Sequence, residues 1–103
     1  MLFSGGTLIN VRITFDRAKR DQTLRERGID FKDARHVFAG RTLDVEDRRQ
    51  DYGEARMLTV GYLAERMVMV VWTPRGRARR IISMRKCNDR EKKRYSTRLS
   101  EKA

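Results

Sequence analysis

The chain has 103 residues, enough for one domain with a small core, and its net charge of +11 predicts an anionic partner, either nucleic acid or an acidic protein. No stretch approaches the roughly 18 apolar residues of a membrane span, and residues 1–11 lack the basic start and long apolar stretch of a signal peptide. One cysteine and one histidine exclude an internal disulfide, a cysteine-based zinc site and a multi-histidine metal site. We therefore expect no metal, no cofactor and a cytoplasmic location.

The first forty residues predict one strand and two helices. Residues 12–15 alternate polar and apolar side chains, which is typical of a short strand. Helices are predicted over residues 17–27 and 31–39, the first with few apolar residues and the second with an apolar face. Their predicted ends carry suitable capping or stop residues: Asp16, Gly28, Asp30 and Gly40.

After residue 40 the apolar period changes from 3.6 to 2, which predicts a sheet. Four strands are expected, over residues 42–46, 56–62, 67–72 and 79–86, and their short links favour antiparallel pairing. Asn88 and Glu91 have the spacing of a capping box and predict a last helix over 89–99. The predicted fold is α+β: two N-terminal helices packed on an antiparallel sheet of four to five strands, plus a C-terminal helix.

Several residues could carry chemistry, but ordinary structural roles are favoured for them. His36 is expected as a surface or packing residue of its helix. Cys87 is expected as a small filler at a strand–helix junction, although nearby cations would lower its pKa. Trp72 is expected in the core, with base stacking as the alternative. A solvated loop is favoured over a metal site for the acidic residues Asp44, Glu46, Asp47 and Asp51.

The remaining sequence feature that points to a function is the arginine content, which is concentrated near the end of the chain. Residues 75–103 hold a net charge of +9. Strict alternation would place Arg79, Ile81, Ser83 and Arg85 on one strand face, and Arg80, Ile82, Met84 and Lys86 on the other. Strand arginines, together with Arg56, suit a groove for phosphates. Ion pairing to Glu46, Glu54 or Glu91 is an equally good explanation.

The motifs in this order resemble the BrnT family of toxins. The resemblance covers residues 12–95 and begins with Ile13-Thr14-Phe15-Asp16-Arg17-Ala18-Lys19, Leu24-x-x-x-Gly28-Ile29-Asp30-Phe31 and Ala34-x-x-Val37-Phe38. It continues with Asp51-Tyr52-Gly53-Glu54-x-Arg56, Thr73-x-Arg75-Gly76, Arg80-Ile81-Ile82-Ser83-x-Arg85-Lys86 and Arg90-Glu91-x-x-x-Tyr95. It implies a RelE-like ribonuclease toxin of a type II toxin–antitoxin module. The implied partners are RNA and a BrnA-type antitoxin, in a two-plus-two complex.

If the resemblance holds, the positions that match the family motifs suggest site residues. RNA cleavage without metal would use the substrate 2′-hydroxyl as the nucleophile, with the protein supplying a cationic clamp and proton transfer. Arg56, Arg80 and Arg85 are assigned to phosphate stabilisation, Ser83 stands beside them in the motif, and Tyr95 or Glu91 is assigned to proton transfer. The residues expected to bind the RNA are Lys19, Lys86, Arg90 and Lys92.

The chain departs from the family pattern at two places. Glu26-Arg27 stands where the family commonly has Lys-His, and Arg17 stands where it commonly has Pro. Loss of the Lys-His pair predicts slow cleavage, and the alternative function is a non-catalytic basic module that binds RNA or antitoxin. The whole chain, 1–103, is expected as one domain with a basic tail at 96–103. Residues 1–11 are either a flexible extension or the result of a start codon assigned too early.

Overall fold

The computed structural model describes residues 11–101, so most of the expected N-terminal extension lies outside the described residues. The strands are β1 (Arg12–Phe15), β2 (Thr42–Glu46), β3 (Met57–Leu63), β4 (Arg66–Arg75) and β5 (Ala78–Lys86). The helices are α1 (Arg17–Arg27), α2 (Ala34–Ala39), which follows a 3₁₀ turn at Phe31–Asp33, and α3 (Asp89–Glu101). The predicted α+β class is confirmed, and no helix among residues 11–101 is long and apolar enough to cross a membrane.

The five strands form one mixed sheet in the order β1-β5-β4-β3-β2. Strands β2 to β5 pair antiparallel, as predicted; the β3–β4 and β4–β5 links are two-residue turns, and the β2–β3 link is a ten-residue loop. The prediction of a purely antiparallel sheet is wrong, because β1 pairs parallel to β5, with Arg12 opposite Ala78 and Phe15 opposite Ile81. A parallel neighbour is possible here because the chain makes a long crossover between β1 and β5, through two helices and three strands.

One face of the sheet, called here the α2 face, carries the larger core. Phe31, Ala34, Val37 and Phe38 pack there on strand residues that include Trp72 and Met84, and all of these are buried. Helix α2 approaches β3 at Gly61, where a Cβ atom would lie 2.9 Å from Val37 Cγ1. By contrast, α1 buries no residue, so the predicted packing of both early helices on the sheet is not confirmed.

The opposite face, called here the α3 face, carries a smaller apolar cluster under α3. Leu99 is 1% exposed and packs with Val60, Met69 and Cys87. Leu99 lies in the stretch expected as a basic tail, and the structure continues α3 through that stretch to Glu101. Strand residues such as Val71 and Ser83 are half-buried, whereas Thr73 is buried.

Local capping explains where the helices begin and end. Asp16 caps α1 by accepting from the Lys19 amide, and Gly28 ends that helix in the left-handed conformation, with φ of 69°. The predicted capping box is confirmed at α3: the Asn88 amide donates to Glu91 Oε1 at 2.9 Å, and the Glu91 amide donates to Asn88 Oδ1 at 2.9 Å.

Candidate functional site

An irregularity in β5 decides which arginines share a face. Val71 pairs with Ser83, but the next residue, Trp72, pairs with Ile81, so Ile82 is an extra residue in β5. Strict alternation was therefore the wrong assumption. The register places Arg80, Ser83 and Arg85 together on the α3 face, opposite Thr73, Val71 and Met69 respectively. We call Arg80, Ser83 and Arg85 the arginine face.

Arg85 is held by the first turn of α3. Its guanidinium donates to both carboxylate oxygens of Glu91, at 2.8 and 2.7 Å. This ion pair lowers the pKa of Glu91 from 4.5 to about 2 and raises the pKa of Arg85. Because one Glu91 oxygen also accepts from the Asn88 amide, the carboxylate fixes both the helix start and the guanidinium. Ion pairing, one of the two explanations left open by the sequence, thus applies to Arg85.

Arg80 is different, because its side chain makes no hydrogen bond or ion pair with residues 11–101. It is half-buried, lies opposite Thr73 in β4 and lies beside Thr14 in β1. The hydroxyl of Thr73 donates to the carbonyl of Ala55, the residue before Arg56. A half-buried guanidinium keeps its full charge in a setting of reduced dielectric, so its attraction for a phosphate is strengthened.

Arg56 lies just before β3 and is positioned by the loop that precedes it. Its guanidinium carbon lies 4.0 Å from the centre of the Tyr52 ring, a cation–π contact. Its Nε atom is buried without a hydrogen-bond partner among the described residues, 3.9 Å from the nearest Glu54 carboxylate oxygen. The Glu54 contact is an ion pair, so ion pairing also applies to Arg56, while its two terminal amino groups make no hydrogen bond among the described residues.

The acidic loop residues expected in solvent include one that is buried. The side chain of Asp47 is 1% exposed and accepts from Arg49 at 2.8 Å and from the Tyr52 hydroxyl at 3.1 Å. These donors hold the pKa of Asp47 well below its ordinary value, with the Arg49 hydrogen bond as the main cause. The solvated-loop prediction is therefore wrong for Asp47. No three His, Cys, Asp or Glu side chains within residues 11–101 are grouped so that they could hold a metal ion.

The predicted residues on α3 point in more than one direction. Tyr95 is one turn beyond Glu91 on the same side of the helix, half-buried against the apolar cluster of the α3 face. Lys92, together with Lys86 at the end of β5, lines a pocket of about 540 Å³ between α3 and the tip of the β3–β4 hairpin. We call this cavity the hairpin pocket. Arg90 on α3 and Lys19 on α1 are exposed, without a side-chain hydrogen bond among the described residues.

The structural roles favoured for His36 and Trp72 agree with the structure. His36 is exposed on α2, and Trp72 is in the core, where its indole donates to the Thr59 hydroxyl at 2.7 Å. The expected direction of the Cys87 pKa was wrong. Burial raises that pKa from 9.0 to about 11, outweighing the opposite effect of Arg85 and Lys92.

Sequence reasoning named Arg79 and Arg27 but missed the contacts that each of them makes. Arg79 lies 4.5 Å from the ring centre of Phe38 and 4.3 Å from that of Trp72, so it belongs to the α2 face as a structural clamp. Arg27, the second residue of the Glu26-Arg27 pair, donates from Nη1 to the Met84 carbonyl at 3.0 Å. Met84 lies between Ser83 and Arg85, so position 27 abuts the strand that carries the arginine face. No local pattern signals either contact.

Comparison with known proteins identifies the family of the chain. A family model described as the ribonuclease toxin BrnT of type II toxin–antitoxin systems matches residues 15–91. No curated protein gives a significant match. The matched segment begins at Phe15, the last residue of β1, and includes β2 to β5, the arginine face and the start of α3 with Glu91. The chain therefore belongs to the BrnT family of ribonuclease toxins of type II toxin–antitoxin systems.

Proposed function

We propose that the arginine face cleaves RNA without a metal ion, and that this protein is a slow endoribonuclease. The observation that carries the proposal is the bulge in β5, which collects Arg80, Ser83 and Arg85 on one sheet face beside α3. Arg80 has no protein partner among residues 11–101, so its donors are free for a phosphate. Membership of a ribonuclease toxin family makes RNA the expected substrate.

In the proposed reaction the substrate supplies its own nucleophile. The 2′-oxygen of a ribose bonds to the adjacent phosphorus while the bond from phosphorus to the 5′-oxygen breaks. The 2′-hydroxyl proton goes to a base, and the departing 5′-oxygen receives a proton from an acid. Arg80, Arg85 and Arg56 stabilise the charge that develops on the phosphate oxygens, and Ser83 donates its hydroxyl to one of them.

Proton transfer is the weak part of this site. Glu91, with a pKa of about 2, is ionised at neutral pH and is a weak base, so we assign it to positioning Arg85. Tyr95 lies on the same side of α3 and is the group left to donate a proton to the departing 5′-oxygen, while the 2′-hydroxyl proton goes to a solvent water molecule as the base. A poorly matched acid or base typically costs about 10²–10⁴ in rate, so slow cleavage is expected.

RNA and antitoxin are proposed as alternative occupants of the same basic surface. Lys19, Lys86, Arg90 and Lys92 contact the RNA backbone in this proposal. The antitoxin is of the BrnA type and forms a two-plus-two complex that covers the arginine face. The net charge of +11 supports an acidic partner segment, because opposite charge speeds association. We place both events in the cytoplasm, where the RNA is.

A non-catalytic binding module is the second candidate, and one contact favours it. Arg27 occupies the position of the family histidine and is committed to the Met84 carbonyl. Arginine cannot exchange a proton near neutral pH. If the family histidine is indispensable here, the arginine face would only bind RNA or antitoxin.

The rate of RNA cleavage by single-arginine variants decides between the two. Arg80→Ala is expected to lower the rate about 10²- to 10³-fold, the usual cost of one charge-stabilising donor. Arg77→Ala, which removes an exposed arginine from the turn before β5, and His36→Ala are expected to retain the rate. Circular dichroism checks that each variant is folded. If His36→Ala and Arg80→Ala lowered the cleavage rate equally, the assignment of the site would be contradicted. If the wild-type protein left the RNA intact, the binding module would be favoured.

A further inference from the structure

The hairpin pocket is a second concave site, separated from the arginine face by α3. Glu91 and Tyr95 occupy one side of the helix, whereas Lys92, Lys93 and Ser96 line the pocket on another. Its volume, about 540 Å³, lies in the range of roughly 300–1,000 Å³ that is usual for ligand sites. The pocket is therefore large enough for a small ligand and does not overlap the proposed cleavage residues.

The charge around the pocket is strongly unbalanced. Four cations line it, Arg66, Lys86, Lys92 and Lys93, against the single carboxylate of Glu65. Within residues 11–101 only Lys92 among them has an ion pair, an exposed one with Asp89 at 3.8 Å. Cations brought together without counter-charges repel one another, and an anion in the pocket would relieve that repulsion.

The rest of the lining is suited to a flat aromatic group. Tyr62 is 41% exposed, one of the most exposed large apolar side chains, while Met67 and Cys87 close the floor of the pocket and are buried. Tyr62 pairs with Met67 and Leu63 with Arg66, so a two-residue turn holds the hairpin tip. The Tyr62 ring therefore stands on a well-defined strand, in the same pocket lining as Lys92 and Lys93 of α3.

We propose that the hairpin pocket binds one nucleotide of the RNA, away from the cleaved bond, with its base on Tyr62 and its phosphates on Lys92 and Lys93. Stacking on an aromatic side chain combined with backbone cations is the general way proteins hold single-stranded nucleic acid. An acidic peptide would use the cations but would leave the exposed ring without a role. The proposal rests on RNA being the substrate, and it adds residues that the cleavage chemistry does not use.

Binding of a fluorescent single-stranded 2′-O-methyl oligonucleotide tests this, because the probe lacks the attacking hydroxyl and stays intact. Tyr62→Ala is expected to weaken binding about 5- to 150-fold with an unchanged salt dependence, and Tyr62→Phe is expected to retain affinity. The double variant Lys92→Gln, Lys93→Gln is expected to flatten the slope of log affinity against log salt by about 1.4, as for two lost phosphate contacts.

The matched control is Lys32→Gln with Arg35→Gln, which removes two exposed cations beside and on α2. An equal change of slope in this control, or wild-type affinity in Tyr62→Ala, would overturn the proposal. The proposal would also be overturned if the pocket variants lost binding to an acidic antitoxin peptide but still bound the oligonucleotide. If the wild-type protein cleaves RNA but the pocket variants bind the oligonucleotide with wild-type affinity, the pocket proposal is refuted and the nuclease proposal stands. If the pocket variants lose affinity for the oligonucleotide but the wild-type protein does not cleave RNA, the nuclease proposal is refuted and the pocket proposal stands.

Discussion

The Arg85–Glu91 ion pair makes part of the folding stability depend on pH. The pKa of Glu91 is about 2 in the folded chain and 4.5 without the contact. The stabilisation is therefore fully present above pH 4.5 and is lost as pH falls toward 2. Glu91→Gln keeps an oxygen for the Asn88 amide but removes the charge, so it isolates the ion pair from the cap.

Urea denaturation of Glu91→Gln should show a lower midpoint than wild type at pH 7 and a smaller difference at pH 3. The exposed carboxylate of Glu65, which has no ion pair among the described residues, provides the control variant Glu65→Gln. A midpoint difference that stays constant between the two pH values would show that the ion pair does not carry this stability.

Position 27 offers a gain-of-function test. Arg27 contacts the strand between Ser83 and Arg85, so a histidine there is expected near the arginine face, with an ordinary pKa of about 6.5. Arg27→His should raise the single-turnover cleavage rate by tenfold or more and introduce a pH dependence near that value. Arg25→His, on an exposed position of α1, should do neither. A rate unchanged by Arg27→His would show that proton transfer is not limiting.

At the level of elements, Gly61 sets how closely α2 approaches the sheet. A Cβ at this position would meet Val37 Cγ1 at 2.9 Å, Thr42 Cγ2 at 3.0 Å and the Arg41 carbonyl at 3.1 Å. Gly61→Ala should therefore destabilise the fold by about 1–3 kcal/mol, the usual cost of overpacking. In Gly40→Ala the added Cβ has only an ordinary contact at 3.8 Å, and that variant should lose no stability. Equal urea midpoints for the two variants would contradict this packing.

The elements were predictable where their signals are local. The period change after Gly40 predicts β2 to β5, and the Asn88–Glu91 spacing predicts the start of α3. The parallel pairing of β1 with β5 was not predictable in this way, because it joins segments more than sixty residues apart. The extra residue at Ile82 carries no composition signal either, since Ile81-Ile82 suits a regular strand equally well.

At the level of the whole molecule, the candidate site was predictable as a set of residue types but not as an arrangement. The arginine excess pointed to β5, yet the bulge, not the sequence alternation, brings Arg80 and Arg85 to one face. The ion pair of Arg85 depends on where α3 begins beside the sheet. That Arg80 has no such partner among residues 11–101 follows from no sequence pattern. The hairpin pocket needs three separate segments, so no single motif could reveal it.

The central claim is that RNA is cleaved by its own 2′-hydroxyl under a cationic clamp. Mass spectrometry of the products from a short defined RNA, incubated with purified protein in excess EDTA, tests it most directly. We predict fragments that end in a 2′,3′-cyclic phosphate and begin with a 5′-hydroxyl, formed much more slowly by Arg80→Ala. Fragments with 3′-hydroxyl and 5′-phosphate ends, or cleavage abolished by EDTA, would contradict the account.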